Sequence, residues 1–199
     1  MKKPSKFKTK KRDIIELAII IAVFAGIYFS GYQAEVFGKV QQVVLNTGLM
    51  NAGVLDESAI KKASYDLVLS DAKAKKLDMK TLKGKTIFIN LWATWCAPCV
   101  AEMPSIQALY DKTKHLDDLV FLMISEDKNF EKAKSWADKK GFDFPIYQRL
   151  SNLPDMYETG VIPSTFVISP EGKIIVKKEG MANYDTRRFL KMLTKMSEN

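Results

Sequence analysis

Phe88-Ile89-Asn90-Leu91-Trp92-Ala93-Thr94-Trp95-Cys96-Ala97-Pro98-Cys99 is the stretch on which the reading of this chain turns. Ile87 to Trp92 is apolar enough for a central, buried strand. The stretch then holds the only two cysteines in 199 residues, separated by two positions. Such a pair closes a small disulfide, and exchange requires a thiolate. A free thiol of pKa about 8.5 is only slightly ionised at neutral pH. A helix is expected to open near Cys96, with Met103, Ile106, Leu109 and Tyr110 on its buried face. The unpaired N–H groups and the dipole at its start stabilise an anion. In that reading Cys96 is the exposed, attacking sulfur, and Cys99, one turn on, resolves the mixed disulfide. Pro98 suits the first turn, where its absent N–H is not missed. The competing reading is a pair of buried thiols or a structural disulfide. The strand before the pair and the helix after it, in an exported chain, favour redox chemistry.

Glu102 lies three residues after Cys99, on the same helix face. It is either a partly buried carboxyl that holds the proton of the resolving thiol or a solvated acid that the helix dipole favours. Pro104 falls inside the same helix and should kink it.

The formal charge of +8 divides unevenly. Residues 1–16 carry seven basic residues against Asp13 and Glu16, so +5 of the excess is an address and not a nucleic-acid-binding face. After this basic cytoplasmic segment (1–13), residues 14–32 are apolar apart from Glu16 and Ser30. Nineteen residues approach the ~20 that a helix needs to cross a bilayer. The basic cluster precedes them and only Lys39 follows closely, which places the N-terminus in the cytoplasm and the rest outside. A cleaved signal peptide fits the basic start, but the apolar run is long and lacks a small-x-small site. Residues 33–63 read as a connector, partly helical, with Val36, Phe37, Val40, Val43 and Val44 at helical spacing.

From residue 64 to 199 strand and helix patterns alternate. Strands are expected at Tyr65–Leu69, Ile87–Trp92, Leu119–Ser125 and around Ile146, and a hairpin at Thr165–Ser169 and Lys173–Gly180. Helices are expected from Cys96, at Asn129–Lys140 with Gly141 as its stop, at Leu153–Tyr157, and from Tyr184. The result is an α/β sandwich with a mixed sheet. A single histidine, His115, and two cysteines cannot build a zinc site.

The quoted stretch, together with Val161-Ile162-Pro163-Ser164-Thr165-Phe166 downstream, resembles the active site of the thioredoxin fold, and most of all its membrane-anchored TlpA/ResA branch. The resemblance covers about residues 64–197, with the branch's insertion at about 127–157. It implies a cis peptide bond at Pro163 facing the cysteines, with Ile162 pairing with a bound substrate strand. It implies a proton-managing role for Glu102, and flanking roles for Trp92 in the core and Trp95 as contact surface beside Cys96 and Pro98. Asn90 departs from cytoplasmic thioredoxins, which carry a buried aspartate there; it cannot titrate, and this shifts weight to Glu102. Ser125-Glu126-Asp127 follows a strand and either lines the rim of the site or, as loop acids usually are, is simply solvated.

The expected activity is extracytoplasmic, membrane-tethered thiol–disulfide exchange, reducing protein disulfides with no cofactor beyond the Cys96–Cys99 pair. A membrane thiol–electron donor would restore it, and cytochrome c maturation is the use that the resemblance suggests. A peroxidase of the same fold is the alternative enzyme, but Ala93 and Cys96 stand where its threonine would precede Cys96 and Cys99. A copper-delivery protein is the non-enzymatic alternative, but the cysteine spacing is narrow and His115 is misplaced for it.

Overall fold

The computed structural model describes residues 11–30, 33–47, 50–53, 55 and 60–197. The chain divides into two compact units, Met1–Gln33 and Ala34–Asn199. In the first, helix α1 (Lys11–Ser30) carries an exposed ion pair between Arg12 and Glu16, 2.9 Å. Its large apolar side chains Ile14, Ile15, Leu17, Ile19, Ile20, Ile21 and Val23 are all more than half exposed. Counted over the described residues alone, no helix is long and apolar enough to cross a membrane. The last two positions of the expected anchor, Gly31 and Tyr32, lie outside the described residues.

In the second unit, helix α2 (Gln33–Asn46) precedes a mixed sheet. Among the described residues the sheet has eight strands: β1 (Lys61–Lys62), β2 (Val68–Asp71), β3 (Lys76–Asp78), β4 (Thr86–Trp92), β5 (Leu119–Ser125), β6 (Ile146–Arg149), β7 (Ser164–Ile168) and β8 (Lys173–Glu179). Their order is β1-β8-β7-β4-β5-β6-β2-β3. Helix α3 (Ala97–Thr113) connects β4 to β5, α4 (Phe130–Lys140) connects β5 to β6, and α5 (Arg187–Ser197) closes the chain.

Strand β4 is buried along all seven residues. It runs parallel to β5 from Thr86↔Leu119 to Trp92↔Ser125, and antiparallel to β7 from Ile87↔Ile168 to Leu91↔Ser164. Alternation along the strand feeds two cores. Phe88 and Trp92 join Met103, Ile106, Phe121, Tyr184 and Phe189 beneath the helices, while Ile87, Ile89 and Leu91 join Leu67, Leu69, Tyr157 and Phe166 on the other face. Asn90 therefore points to the helical face, beneath α3.

Two local features differ from the sequence expectation. The strand expected at Tyr65–Leu69 begins at Val68, as β2; before it the Asp66 N–H is spent on Ser64 Oγ at 3.2 Å and not on a neighbouring strand. It then folds back as the unforeseen β2–β3 hairpin. That turn has neither glycine nor proline. Asp71 Oδ1 accepts the N–H groups of Lys73 and Lys75, both at 2.8 Å, and Ala74 takes a left-handed φ of 62°. The last helix begins at Arg187 and not at Tyr184; Tyr184 is wholly buried ahead of it.

Phe88 meets Phe121, Tyr184 and Phe189 at centroid distances of 4.9, 5.4 and 6.3 Å. Phe88→Ala is expected to cost about 3–5 kcal/mol, as other buried aromatic truncations do. Denaturant unfolding of the parent and variant measures it.

Candidate active site

Strand β4 ends at Trp92 and the chain passes through Ala93, Thr94 and Trp95 into α3. Cys96 is the N-cap of that helix, with φ −90° and ψ 101°, and its sulfur accepts the Cys99 backbone N–H at 3.2 Å. Pro98 stands in the first turn. Cys96 and Cys99 are joined in a disulfide, their Cα atoms 5.2 Å apart. Cys96 keeps 5% of its surface exposed and Cys99 none, so the pair has an outer and an inner sulfur. Trp95 beside it is 60% exposed.

Asp127 pins this turn from the end of β5. Its carboxylate accepts the Thr94 N–H at 2.9 Å, the Thr94 hydroxyl at 2.7 Å and the Ser125 hydroxyl at 3.0 Å. Of the two readings of this loop, site rim or solvated acid, Asp127 answers to the first, as a brace for the cysteine turn. Its neighbour Glu126 makes a two-pronged ion pair with Arg149, at 2.9 and 2.6 Å.

The Ile162–Pro163 bond is cis. Ile162 O lies 3.6 Å from Cys96 Sγ. A disulfide sulfur carries no proton, so this is a packing contact that becomes available for hydrogen bonding when Cys96 is reduced. Pro163 is buried, Ile162 is half-buried and Val161 is 50% exposed. Val161 and Ile162 together with Trp95 border a groove that also meets Glu126, Arg149 and Glu158.

Behind the pair lies a wholly buried polar group. Glu102 is fully buried on α3. Asn90 Nδ2 donates to Glu102 Oε1 at 2.7 Å and to Thr165 Oγ1 at 2.9 Å. The Ala182 N–H donates to Glu102 Oε2 at 3.1 Å, and the Tyr184 hydroxyl donates to Thr165 Oγ1 at 2.6 Å. Burial raises the Glu102 carboxyl to about 8, against the opposing pull of the Asn90 and Ala182 donors and of the Lys178 charge. Tyr184 is held well above its ordinary value, chiefly by burial.

A neutral Glu102 needs an acceptor for its O–H. Asn90 Oδ1 is buried and has no hydrogen-bond partner among the described residues. The two orientations of an amide are nearly isosteric. Turning this one through 180° would present Oδ1 to the neutral acid, whereas the present orientation suits the carboxylate. Thr165 and Tyr184 did not stand out in the sequence as site residues. The Asn90↔Thr165 pairing of β4 with β7 brings Thr165 in, a register no local pattern reveals. Among the described residues no cluster of three or more His, Cys, Asp or Glu could hold a metal ion.

A family model described as Redoxin matches residues 56–191. The chain belongs to the Redoxin family. Within it the chain is 31% identical over 168 residues to the thiol-disulfide oxidoreductase ResA of Bacillus thuringiensis (strain Al Hakam), covering 83% of this chain and 87% of that protein. It is 28% identical over 176 residues to ResA of Bacillus subtilis (strain 168), covering 84% and 85%. The crystal structure of StoA from Bacillus subtilis shares the fold, with a TM-score of 0.51 at 20% identity over 69% of this chain and 96% of that one. This Redoxin-family chain is thus a ResA-like thiol–disulfide oxidoreductase of thioredoxin fold, whose redox group is a cysteine pair.

The raised Glu102 carboxyl sets a pH dependence of stability. Below the unfolded value of 4.5 both states hold its proton. Between 4.5 and about 8 the unfolded chain releases a proton that the native state keeps, so stability falls as pH rises through this window. Glu102→Gln should remove that fall, at most ~1.4 kcal/mol per pH unit. Unfolding of the oxidised proteins across the window measures it.

Proposed function

We propose that this chain is an extracytoplasmic, membrane-tethered reductase of protein disulfides. The observation that carries the redox half is the placing of the pair: Cys96 at the mouth and capping a helix, Cys99 behind it, Ile162 O against the outer sulfur. In the reduced enzyme the Cys96 thiolate, favoured by the helix N-terminus, attacks one sulfur of a substrate disulfide. That bond breaks, the far substrate sulfur leaves as a thiolate and takes up a proton, and a mixed disulfide forms. Cys99 then gives its proton to Glu102 in its ionised form and attacks Cys96 Sγ, and the second substrate sulfur leaves as a thiolate that takes up a proton. The substrate has gained two electrons and the enzyme has lost them to its own disulfide. A thiol donor at the membrane returns them by the reverse exchange.

In this reading Ile162 and Pro163 present the substrate strand, and Trp95 and Pro98 form the contact surface around Cys96. Glu102 suits the proton step because its carboxyl lies near neutrality and one turn beyond Cys99. The tether reading rests on the basic start, on the apolar residues 14–32, and on the exposure of the large apolar side chains from Ile14 to Val23. The proteins named ResA among its relatives are thiol–disulfide oxidoreductases, and reduction of haem-attachment cysteines in cytochrome c maturation is the substrate class we assign by that kinship.

Cys99→Ser should leave Cys96 joined to its substrates as mixed disulfides that survive denaturation without reductant and can be identified by mass. Cys96→Ser should capture none and reduce insulin no faster than background. The reduction potential should lie nearer the approximately −270 mV of thioredoxin than the approximately −120 mV of a strong oxidant such as DsbA. Equilibration with glutathione measures it, and a strongly oxidising value would reverse the assigned direction.

A further inference from the structure

Helix α2 has two apolar faces, and only one of them is used by the domain. On the inner face Leu45 is 2% exposed, and Gly38 is buried against α3. A Cβ on Gly38 would lie 3.0 Å from Val100 Cγ1 and 3.1 Å from Ala97 O, so glycine is what lets α2 touch the first turn of the cysteine helix. Glu35 fastens the same side to Lys140 of α4 at 2.8 Å. On the outer face Val36, Phe37, Val40, Val43 and Val44 are exposed by 40, 53, 64, 67 and 42%. At 100° per residue these five fall within an arc of about 120°, a continuous stripe with the exposed Lys39 at its flank. A soluble domain does not ordinarily leave such a stripe to water.

Chain length identifies the occupant. Residues 31 and 32 alone separate the end of α1 at Ser30 from Gln33. Three peptide units reach at most about 11 Å. If α1 enters a bilayer, as the proposed function has it, α2 starts at the level of the lipid headgroups. There a helix with one apolar stripe and a flanking lysine sinks its apolar face to the acyl boundary and keeps its cation among the headgroups.

We propose that α2 is an interfacial helix whose Val36–Val44 stripe lies in the outer surface of the membrane, while its Gly38 face holds the first turn of α3 and so keeps the Cys96 mouth close to that surface. This rests on the anchor reading and adds a second, separate lipid contact. It gives a physical reason for a membrane-borne thiol donor to reach Cys96 without a long, mobile stalk between them.

The full chain is placed in vesicles of phosphatidylcholine and phosphatidylglycerol, with Phe37→Trp compared against the parent. Flotation of the vesicles tests the anchor. Lipids brominated near the headgroup end or near the tail end of the acyl chain test α2. The expected result is flotation, with the added tryptophan emission falling about twofold under shallow bromines and less under deep ones. Insulin reduction by the variant should match the parent. Flotation with no quenching beyond the parent's overturns the interfacial helix and leaves the anchor standing. A second copy seated on the stripe would give that same absence of quenching, with paired chains under a lysine-reactive cross-linker. Failure to float overturns the anchor and the interfacial helix with it.

Discussion

The structure depends on the two-sided pairing of β4. Because β5 and β7 hydrogen-bond it along nearly its whole length, its end at Trp92 has no freedom left. The register that fixes it also collects the site. Trp92↔Ser125 brings Asp127 to the turn, where the Glu126 N–H bonds Trp92 O at 2.8 Å and Asp127 takes both donors of Thr94. Leu91↔Ser164 brings Pro163 to the mouth of the pair. A slip of one residue on either side would turn every side chain to the opposite face, exchanging Phe88 and Trp92 for Ile87 and Leu91 beneath the helices. The apolar pattern forbids it. The same pairing that builds the core therefore places the cysteine turn, its Asp127 brace and the cis-proline loop together.

Two electrostatic devices of opposite kind sit back to back on α3. At its start, orphan N–H groups face the sulfurs and favour negative charge, typically by 0.3–1 kcal/mol for a helix end. One turn in, burial disfavours negative charge on Glu102. The desolvation of a carboxylate is worth several kcal/mol, and it outweighs the two N–H donors that the carboxyl accepts, as its rise to about 8 shows. A neutral Glu102 adds no charge beside the inner sulfur, while an ionised one would repel a thiolate there. The two devices act together once the carboxyl holds a proton.

The fold was readable to the extent that it is written in local periodicity. Strand β4 between apolar neighbours, α4 stopping at Gly141 in a left-handed conformation, and the β7–β8 hairpin turning before Gly172 all carry their signals within a few residues. The β2–β3 hairpin was hidden because Asp71 makes its turn with a side chain, where glycine or proline would have announced one. α5 starts three residues later than expected because Tyr184 is buried ahead of the helix and spends its hydroxyl on Thr165. In the site, the cysteine pair and the glutamate one turn beyond it are visible as spacing. That Asn90, Thr165 and Tyr184 enclose Glu102 is a property of sheet register and of the return of the chain after β8. Sequence distances of 75 and 80 residues separate these partners, and no window along the chain contains them.

Within that enclosure only one member titrates near neutrality. Tyr184 is held well above its ordinary value, and Asn90 and Thr165 do not titrate. Cys99 has no exposed surface, so bulk water does not reach the inner sulfur in the oxidised form. Opening the disulfide creates a new thiol in this unhydrated volume and with it a second place for a proton. Two negative charges there would oppose each other at low effective dielectric. Asn90 can follow either arrangement, because it offers N–H to a carboxylate and, turned over, a carbonyl to a neutral acid. An aspartate at that position would add a third acid to the same volume. The amide removes that charge and keeps the hydrogen bonds to Glu102 and Thr165.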